Sequence, residues 1–227
     1  MTTAPTAVFD LDGTLADTAH DLVATLNVIL GQEGLPPLPI AAAGDMISAG
    51  GRGLLQRGFE AARREPAPDL IEELYRRFLA YYGDNLCVET RLYPGALDAL
   101  DRLEADGWRL AICTNKMEAH SLKLLAALGV LDRFATVCGR DTFPWFKPDA
   151  RHLIMTIERA GGDPRRAVMV GDSYSDVAAA KAAGIPVVAV SFGYPDRPIR
   201  EHGPDIVIDH FDELFGAVQR FVAAEAC

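Results

Sequence analysis

Two aspartates separated by one residue, Asp10 and Asp12, follow the short apolar run Ala7-Val8-Phe9 near the start of the chain. Carboxylates at this spacing can share a metal ion while they do different work. One can attack phosphorus as a nucleophile, and the other can give a proton to the leaving oxygen. Gly13 comes next and lets the backbone turn sharply and approach an anion closely. This pattern indicates phosphoryl-transfer chemistry rather than a solvated turn after a strand.

Further polar side chains stand at the ends of later apolar runs: Thr114 and Asn115 after one run, and Asp172 after another, with Asp176 close behind. A hydroxyl and free N–H groups before a helix make an oxyanion site, although Thr114-Asn115 alone is more typical of an ordinary helix cap. The Asp172 carboxylate is a hard oxygen ligand of the kind that Mg²⁺ prefers. The alternative to metal binding is that this aspartate caps the N-terminus of a helix.

A lysine, Lys147, stands directly before Pro148, which is expected to open a helix at its first position. The ammonium would then lie just outside a helix N-terminus, beside an anion site. Taken alone, the same pattern fits a surface lysine. Together, the strand-end carboxylates, Thr114 and Lys147 can bind a hard cation and a phosphate at the same place.

The apolar runs that precede these residues predict the strands of a parallel sheet, because short apolar runs bounded by turn residues are typical of buried parallel strands. After the first run, at the start of the chain, they cover 109–113, 135–138, 167–170, 186–190 and 206–208. Helical patterns lie at 94–106, 118–128, 148–160 and 173–183. The alternation predicts an α/β fold, a Rossmann-like parallel sheet with helices on both faces, whose ligands bind at the carboxyl ends of the strands.

The stretch 16–86 breaks this alternation. Helical periodicity recurs at 18–30, 40–48, 54–64 and 69–82, and prolines interrupt it at 36–37 and 66–68. No convincing strand is present. We predict a small all-helical domain at 16–86, inserted after the first strand, with 1–15 and 87–227 forming the core.

Composition and charge narrow the possible partners. The 227 residues carry a formal net charge of −10, which disfavours binding to nucleic-acid phosphates. An anionic substrate would meet the same repulsion, so a metal ion and a few placed cations must reverse the field locally.

The four cysteines show no metal-ligand or CxxC spacing and fit buried thiols in a reducing compartment, Cys113 as a core thiol rather than a nucleophile. The five histidines follow no ligand pattern, and we assign them no role. No signal peptide and no apolar stretch of about 20 residues is present, so we expect a cytoplasmic protein without a membrane span. It would be a monomer or a homodimer.

These motifs resemble those of the haloacid dehalogenase-like hydrolases over nearly the whole chain. The segment 9–15 is similar to the first motif of that family, Thr114 to the second, Lys147 to the third, and Gly171-Asp172 with Asp176 to the fourth. The helical stretch resembles the family's small cap domain. Within the family the chain is most similar to phosphoglycolate phosphatases, through the segments 12–18, 50–53, 114–116, 171–173 and 205–214.

Three features depart from those phosphatases: Met117 stands where proline is usual, Lys147-Pro148 lacks a second proline after it, and the loop 191–199 follows their pattern only loosely.

The resemblance implies a role for each site residue. Asp10 would be the nucleophile that forms an aspartyl-phosphate, and Asp12 the general acid and base. Thr114 and Lys147 would complete the catalytic set. Mg²⁺ would be held by Asp10, by the backbone carbonyl of Asp12 and by Asp172, with Asp176 acting through water. The phosphate would be bound by Asp10, Gly13, Thr114, Asn115 and Lys147.

The resemblance also implies a small phosphorylated metabolite as the substrate, with 2-phosphoglycolate the first candidate. Arg52, between Gly51 and Gly53, is a candidate for binding a substrate carboxylate, and an exposed arginine of the cap is an equal alternative. Pyrophosphate, a sugar phosphate or a nucleotide stay open as substrates. A phosphomutase of the same superfamily would use the same Asp10 chemistry. A phosphate-accepting signalling receiver would need a long-lived aspartyl-phosphate, which a general acid such as Asp12 would defeat.

Overall fold

In the computed structural model of the protein, the described residues are 4–43, 47, 50–195 and 197–223. Within them, no helix has the length and apolar character needed to cross a membrane.

A six-stranded sheet forms the centre of the molecule, and all its neighbouring strands are parallel. The strands run in the order β5-β4-β1-β6-β7-β8. Their bounds are β1 Thr6–Phe9, β4 Arg109–Cys113, β5 Thr136–Cys138, β6 Ala167–Gly171, β7 Val187–Val190 and β8 Ile206–Ile208. Each coincides with a predicted strand to within one residue at either end. The prediction of a parallel sheet with helices on both faces is therefore confirmed.

Alternate residues of the strands pack into two separate layers of the core, one on each face of the sheet. Ala7 and Phe9 pack into one apolar cluster with helices α5, α6 and α9, whereas Val8 packs into another with helices α7 and α8. This is the period-2 arrangement of a sheet that is buried on both faces. These helices are α5 Ala96–Ala105, α6 Glu118–Ala127, α7 Ala150–Arg159, α8 Tyr174–Ala183 and α9 Leu214–Ala223.

Among the described residues, four helices lie between the first two core strands, in the region predicted to be all helical. They are α1 Ala19–Gln32, α2 Ile40–Ala43, α3 Gly50–Ala61 and α4 Pro68–Asp84. We call them the cap. Positions 44–46 and 48 of the predicted second helix lie outside the described residues. A two-stranded antiparallel ribbon of β2 Ala16–Asp17 and β3 Arg91–Leu92 brackets the cap, and the sequence did not predict it.

Helix α3 begins at Gly50, before the predicted start at Leu54. Glycine has a low helix propensity, so the glycine-rich segment gives no helical signal in the sequence. A Cβ on Gly51 would stand 3.0 Å from the Phe78 ring of α4, and one on Gly58 would stand 2.8 Å from Leu30 of α1. These glycines let α3 pack closely against its neighbours. The domain limits at 15/16 and 86/87 stay a prediction.

Strand β1 lies at the centre of this topology. The chain winds outward from β1 to β4 and β5, then crosses back to β6 on the other side of β1. In such a sheet the loops after the strands on either side of the reversal separate and leave a crevice at their carboxyl ends. Asp10, Thr114 and Asp172 directly follow β1, β4 and β6, so the topology brings them to this crevice.

Candidate active site

The loop after β1 fixes the Asp10 carboxylate. The Asp10 backbone N–H donates to the Val170 carbonyl at 2.9 Å, which continues the pairing of β1 with β6. The Leu11 N–H donates to Asp10 Oδ1 at 2.7 Å. Asp10 is 8% exposed, so its carboxylate is buried at the floor of the site with one side open to a cavity that it helps to line.

Lys147 is fully enclosed between two carboxylates. Its Nζ lies 3.1 Å from Asp10 Oδ1 and 2.6 Å from Asp176 Oδ1. Burial alone would lower the pKa of this lysine, but the charges of Asp10 and Asp176 outweigh it and raise the pKa above its ordinary value. The alternative of a surface lysine is therefore wrong: Lys147 is a charged group fixed beside Asp10.

Asp172 is held from two sides. Oδ1 accepts a hydrogen bond from the Thr14 hydroxyl at 2.9 Å, and Oδ2 accepts one from the Tyr194 N–H at 2.8 Å. Gly13 and Gly193 pass so close that a Cβ on either would stand 2.3 Å from Asp172 Oδ2. Gly13 also has a φ of +80°, which disfavours any other residue. The expected role of Gly13 in phosphate binding stays a prediction.

Asp10, Asp172 and Asp176 form a buried acidic cluster. One oxygen of each lies within 4.8 Å of the others. Burial is the largest cause that raises the pKa of Asp10, to about 6 in spite of Lys147, and burial with the neighbouring carboxylates raises that of Asp172 well above its usual range. Three carboxylates and one ammonium leave a deficit of positive charge. A hard divalent cation such as Mg²⁺ fits this set of oxygen donors.

Asp176 also orients its surroundings. Its Oδ2 accepts from the Ser173 hydroxyl at 2.6 Å, from the Ser173 N–H at 3.0 Å and from the Asp172 N–H at 3.2 Å, while Oδ1 accepts from Lys147. Both of its oxygens are thus occupied by protein donors. Asp176 thereby positions Lys147, and its action on a metal through water stays a prediction.

Asp12 lies apart from this acidic cluster and forms an ion pair with a different lysine, Lys116. Lys116 Nζ lies 2.8 Å from Asp12 Oδ1 and 3.0 Å from Oδ2, and it also donates to the Tyr82 hydroxyl at 2.8 Å. Tyr82 comes from helix α4 of the cap, so the cap and core meet at the partner of Asp12. The two aspartates of the loop therefore experience different electrostatic surroundings. The metal-binding role of the Asp12 carbonyl stays a prediction.

The loop after β4 carries Thr114 and Asn115. The Thr114 side chain is among the groups that hold the pKa of the Asp10 carboxyl down, and its hydroxyl accepts a hydrogen bond from the Lys116 N–H at 3.2 Å. Asn115 Nδ2 donates a hydrogen bond to the Lys147 carbonyl at 2.9 Å. His152 Nδ1 accepts a hydrogen bond from the Lys147 N–H at 3.3 Å. Asn115 and His152 thus hold the backbone that presents the Lys147 ammonium.

One cavity, of about 150 Å³, joins the core site to the cap. Core residues Asp10, Asp12, Thr114 and Asp172 line it, as does Arg52 of helix α3. The Arg52 guanidinium is already engaged, with Nε 2.6 Å and an Nη 2.8 Å from the two oxygens of Glu72, and it stacks 3.8 Å from the Tyr75 ring centre.

The structure brings the predicted site residues together at the carboxyl ends of β1, β4 and β6, with Arg52 on the opposite wall. Sequence reasoning missed the roles of Lys116, Tyr82, His152 and Tyr194. Lys116 was visible only as a neighbour of Thr114-Asn115, and nothing local marked the others. The prediction for Cys113 is confirmed, because this thiol is fully buried and burial raises its pKa to about 12.

Comparison with known proteins gives the same assignment. The family model for haloacid dehalogenase-like hydrolases matches residues 7–190. The chain belongs to this family. Its curated relatives include a phosphoglycolate phosphatase of Mesorhizobium japonicum, 50% identical over 92% of this chain and 92% of that protein, and one of Agrobacterium fabrum, 44% identical over 95% and 92%.

A solved structure of a predicted phosphoglycolate phosphatase from Haemophilus somnus 129pt agrees in fold. It superposes with a TM-score of 0.87 at 33% identity and covers 96% of this chain and 99% of that one. The resemblance to haloacid dehalogenase-like hydrolases that the sequence motifs predicted is confirmed.

Proposed function

We propose that the protein is a Mg²⁺-dependent phosphatase that hydrolyses a small phosphate monoester, 2-phosphoglycolate first among the candidates, through an aspartyl-phosphate on Asp10. The observation that carries this proposal is the pair of carboxylates in one cavity, each held by a different lysine. Lys147 binds Asp10, and Lys116 binds Asp12. Two carboxylates in different surroundings suit a nucleophile and a separate acid–base group.

In the first step, a carboxylate oxygen of Asp10 attacks phosphorus in line with the ester oxygen. The bond between Asp10 and phosphorus forms as the ester bond breaks, and a proton from Asp12 goes to the leaving alkoxide. Lys147, 3.1 Å from Asp10 Oδ1, holds the nucleophile and remains close to the negative charge of the transferring group.

In the second step, a water molecule attacks the phosphorus of the aspartyl-phosphate. Asp12 takes a proton from this water, the bond to Asp10 breaks, and phosphate leaves with Asp10 restored. Over the two steps, ester and water become alcohol and phosphate, and Asp12 recovers the proton that it gave. Lys116, 2.8 Å from Asp12 Oδ1, holds the Asp12 side chain in place for both proton transfers.

The remaining groups bind the phosphoryl oxygens and the metal. Thr114, the Asn115 amide, the Gly13 backbone and Lys147 are the proposed ligands of the phosphoryl oxygens. Asp10, the Asp12 carbonyl and Asp172 would hold Mg²⁺, with Asp176 acting through water. When bound, the ion supplies positive charge that offsets the clustered carboxylates and the phosphoryl group.

The substrate assignment rests on the relatives and on the cavity. The curated relatives named above are phosphoglycolate phosphatases, and their names favour hydrolysis over mutase chemistry. A cavity of about 150 Å³ roofed by the cap fits a small ester better than a protein substrate. For Arg52 to bind a substrate carboxylate, as predicted, the substrate would have to displace Glu72.

The test is phosphate release from a panel of esters with Mg²⁺, comparing the wild type with Asp10→Asn. The panel contains 2-phosphoglycolate, pyrophosphate, glucose 1-phosphate, glucose 6-phosphate and a nucleoside monophosphate. We expect the fastest release from 2-phosphoglycolate, with loss in Asp10→Asn and in EDTA. Faster release from another ester would keep the chemistry and replace the substrate. No Mg²⁺-dependent release from any ester would contradict the proposal.

A further inference from the structure

The cavity needs two separate positive regions if the substrate carries both a phosphate and a carboxylate. Lys147 and a metal ion would serve the phosphoryl end. Of the described residues that line the cavity, Arg52, Lys116 and Arg140 carry positive charge. The carboxylate must therefore be bound by one of these three groups or by neutral donors.

Two of these cations already have acidic partners. Arg52 forms a two-pronged ion pair with Glu72, and Lys116 contacts both oxygens of Asp12. A substrate carboxylate would have to break one of these pairs. His120 also lines the cavity, but burial and the nearby Lys116 lower the pKa of its imidazole, which disfavours the charged form.

Arg140 differs from both. Among the described residues, no carboxylate lies within ion-pair distance of its guanidinium, which instead stacks on the Phe146 ring with Cζ 3.8 Å from the ring centre. Stacking uses the face of the guanidinium and leaves the in-plane N–H donors free for a planar anion. The side chain is thus held in place without being neutralised.

The position of Arg140 suits this use. It follows Gly139 in the loop after β5, and its backbone N–H donates to the Lys116 carbonyl at 2.9 Å. This bond fixes Arg140 beside the loop that carries Thr114 and Lys116, on the core wall of the cavity. A substrate bound through its phosphate at Asp10 would meet Arg140 and the Asp12–Lys116 pair on the same wall.

We propose that Arg140 binds the substrate carboxylate and thereby sets the preference for 2-phosphoglycolate over phosphate esters that lack a carboxylate; this inference rests on the proposed function. The in-plane N–H groups of a guanidinium match the two oxygens of a carboxylate. Arg140 would bind one end of the substrate while Asp10 reacts at the other.

The experiment compares kcat/KM for 2-phosphoglycolate and for 2-hydroxyethyl phosphate, which lacks the carboxylate. For Arg140→Gln we expect a loss of about 10- to 100-fold with 2-phosphoglycolate, as for other hydrogen bonds to charged groups, and less than about threefold with 2-hydroxyethyl phosphate. Arg151→Gln is the matched control, because Arg151 also stacks on a ring of this loop, Trp145, but lies outside the cavity lining and pairs with Asp149. It should change neither value.

Several outcomes would overturn the inference. Equal losses of kcat/KM with both esters would mean that Arg140 does not bind the carboxylate. A selective loss in Arg52→Gln but not in Arg140→Gln would move the carboxylate site to the cap. A wild type that hydrolyses both esters equally well would remove the preference while leaving the phosphatase proposal intact, whereas a wild type that hydrolyses neither would remove both.

Thermal melting shows whether each variant is folded. If Arg140→Gln does not fold, Arg140→Lys is used to test whether Arg140 binds the carboxylate. It keeps the charge but loses the two-pronged geometry, so we expect a smaller selective loss with 2-phosphoglycolate, and unchanged selectivity would overturn the inference.

Discussion

Lys116 Nζ lies 2.8 Å from Asp12 Oδ1 and the same distance from the hydroxyl of Tyr82. Asp12 and Lys116 are 104 residues apart in the chain, and Tyr82 comes from the cap. A single lysine therefore links the proposed acid–base group to the helix that covers the cavity. Burial alone would lower the pKa of Lys116, but the charge of Asp12 and the contacts with Asp12 and Tyr82 together outweigh it and raise that pKa.

The first prediction concerns this ion pair. Asp12→Asn should lower kcat about 10²- to 10⁴-fold, the usual contribution of a general acid or base, and Lys116→Met should lower it about 10- to 100-fold. Because Lys116 would act through Asp12, the double variant should be no slower than Asp12→Asn alone. Steady-state kinetics with saturating substrate measure all three.

A matched control is Lys123→Met. Lys123 lies in helix α6, and its Nζ is 3.7 Å from Asp84 Oδ1 at the end of α4. Unlike Lys116, its side chain is exposed and does not line the cavity. This variant should keep the wild-type kcat. If the losses of Lys116→Met and Asp12→Asn multiplied in the double variant, the two residues would act independently, contrary to this account.

The second prediction concerns the acidic cluster. Without a cation, the buried Asp172 carboxylate is repelled by Asp176 and Asp10, so the neutral Asp172→Asn should raise Tm in EDTA. In the wild type, added Mg²⁺ should raise Tm through binding to the folded state, and in Asp172→Asn this response should disappear. Differential scanning calorimetry with EDTA and with Mg²⁺ gives both values. An Asp172→Asn protein that kept the full Mg²⁺ response would show that the metal binds elsewhere.

The third prediction concerns His152 and pH. Burial and the charge of Lys147 lower the pKa of this imidazole from 6.5 to about 4, so the folded state keeps it neutral where the unfolded chain binds a proton. The contribution of neutral His152 to the free energy of unfolding is therefore fully present above pH 6.5. It decreases as the pH falls toward 4, by about 3 kcal/mol in total. We expect the free energy of unfolding of the wild type to fall over this range relative to that of His152→Gln.

The comparison uses urea unfolding of both proteins at a series of pH values, so that the titration of every other group cancels in the difference. Glutamine keeps a hydrogen-bond acceptor near the Lys147 N–H but has no proton to gain. A constant difference between the two proteins from pH 7 to pH 4 would contradict the assignment of His152 as a buried neutral group.

Much of the fold could be predicted because the strands are short apolar runs that end in turn or polar residues. The strand ends then located Asp10, Thr114 and Asp172 at one edge of a parallel sheet, and the structure brings them there. The two-residue strands of the ribbon, Ala16–Asp17 and Arg91–Leu92, were missed because two residues show no periodicity.

The pairing of charged side chains could not be predicted, since it depends on contacts between distant segments. The glycines around Arg52 made it a candidate for binding a substrate carboxylate, but its guanidinium pairs with Glu72 of the next helix. His152 showed no ligand spacing, and its contact with the Lys147 backbone depends on the start of α7 at Ala150, shortly after that lysine. Such pairs decide which cations remain available to a substrate.

The proposed mechanism depends on a covalent intermediate on Asp10. Acid quenching during turnover of a substrate with a radiolabelled phosphoryl group, followed by proteolysis and mass spectrometry, tests it most directly. We expect an acid-stable, alkali-labile phosphoryl group on the peptide that contains Asp10, and none in Asp10→Asn. A phosphoryl group on another residue, or rapid turnover by Asp10→Asn, would contradict it.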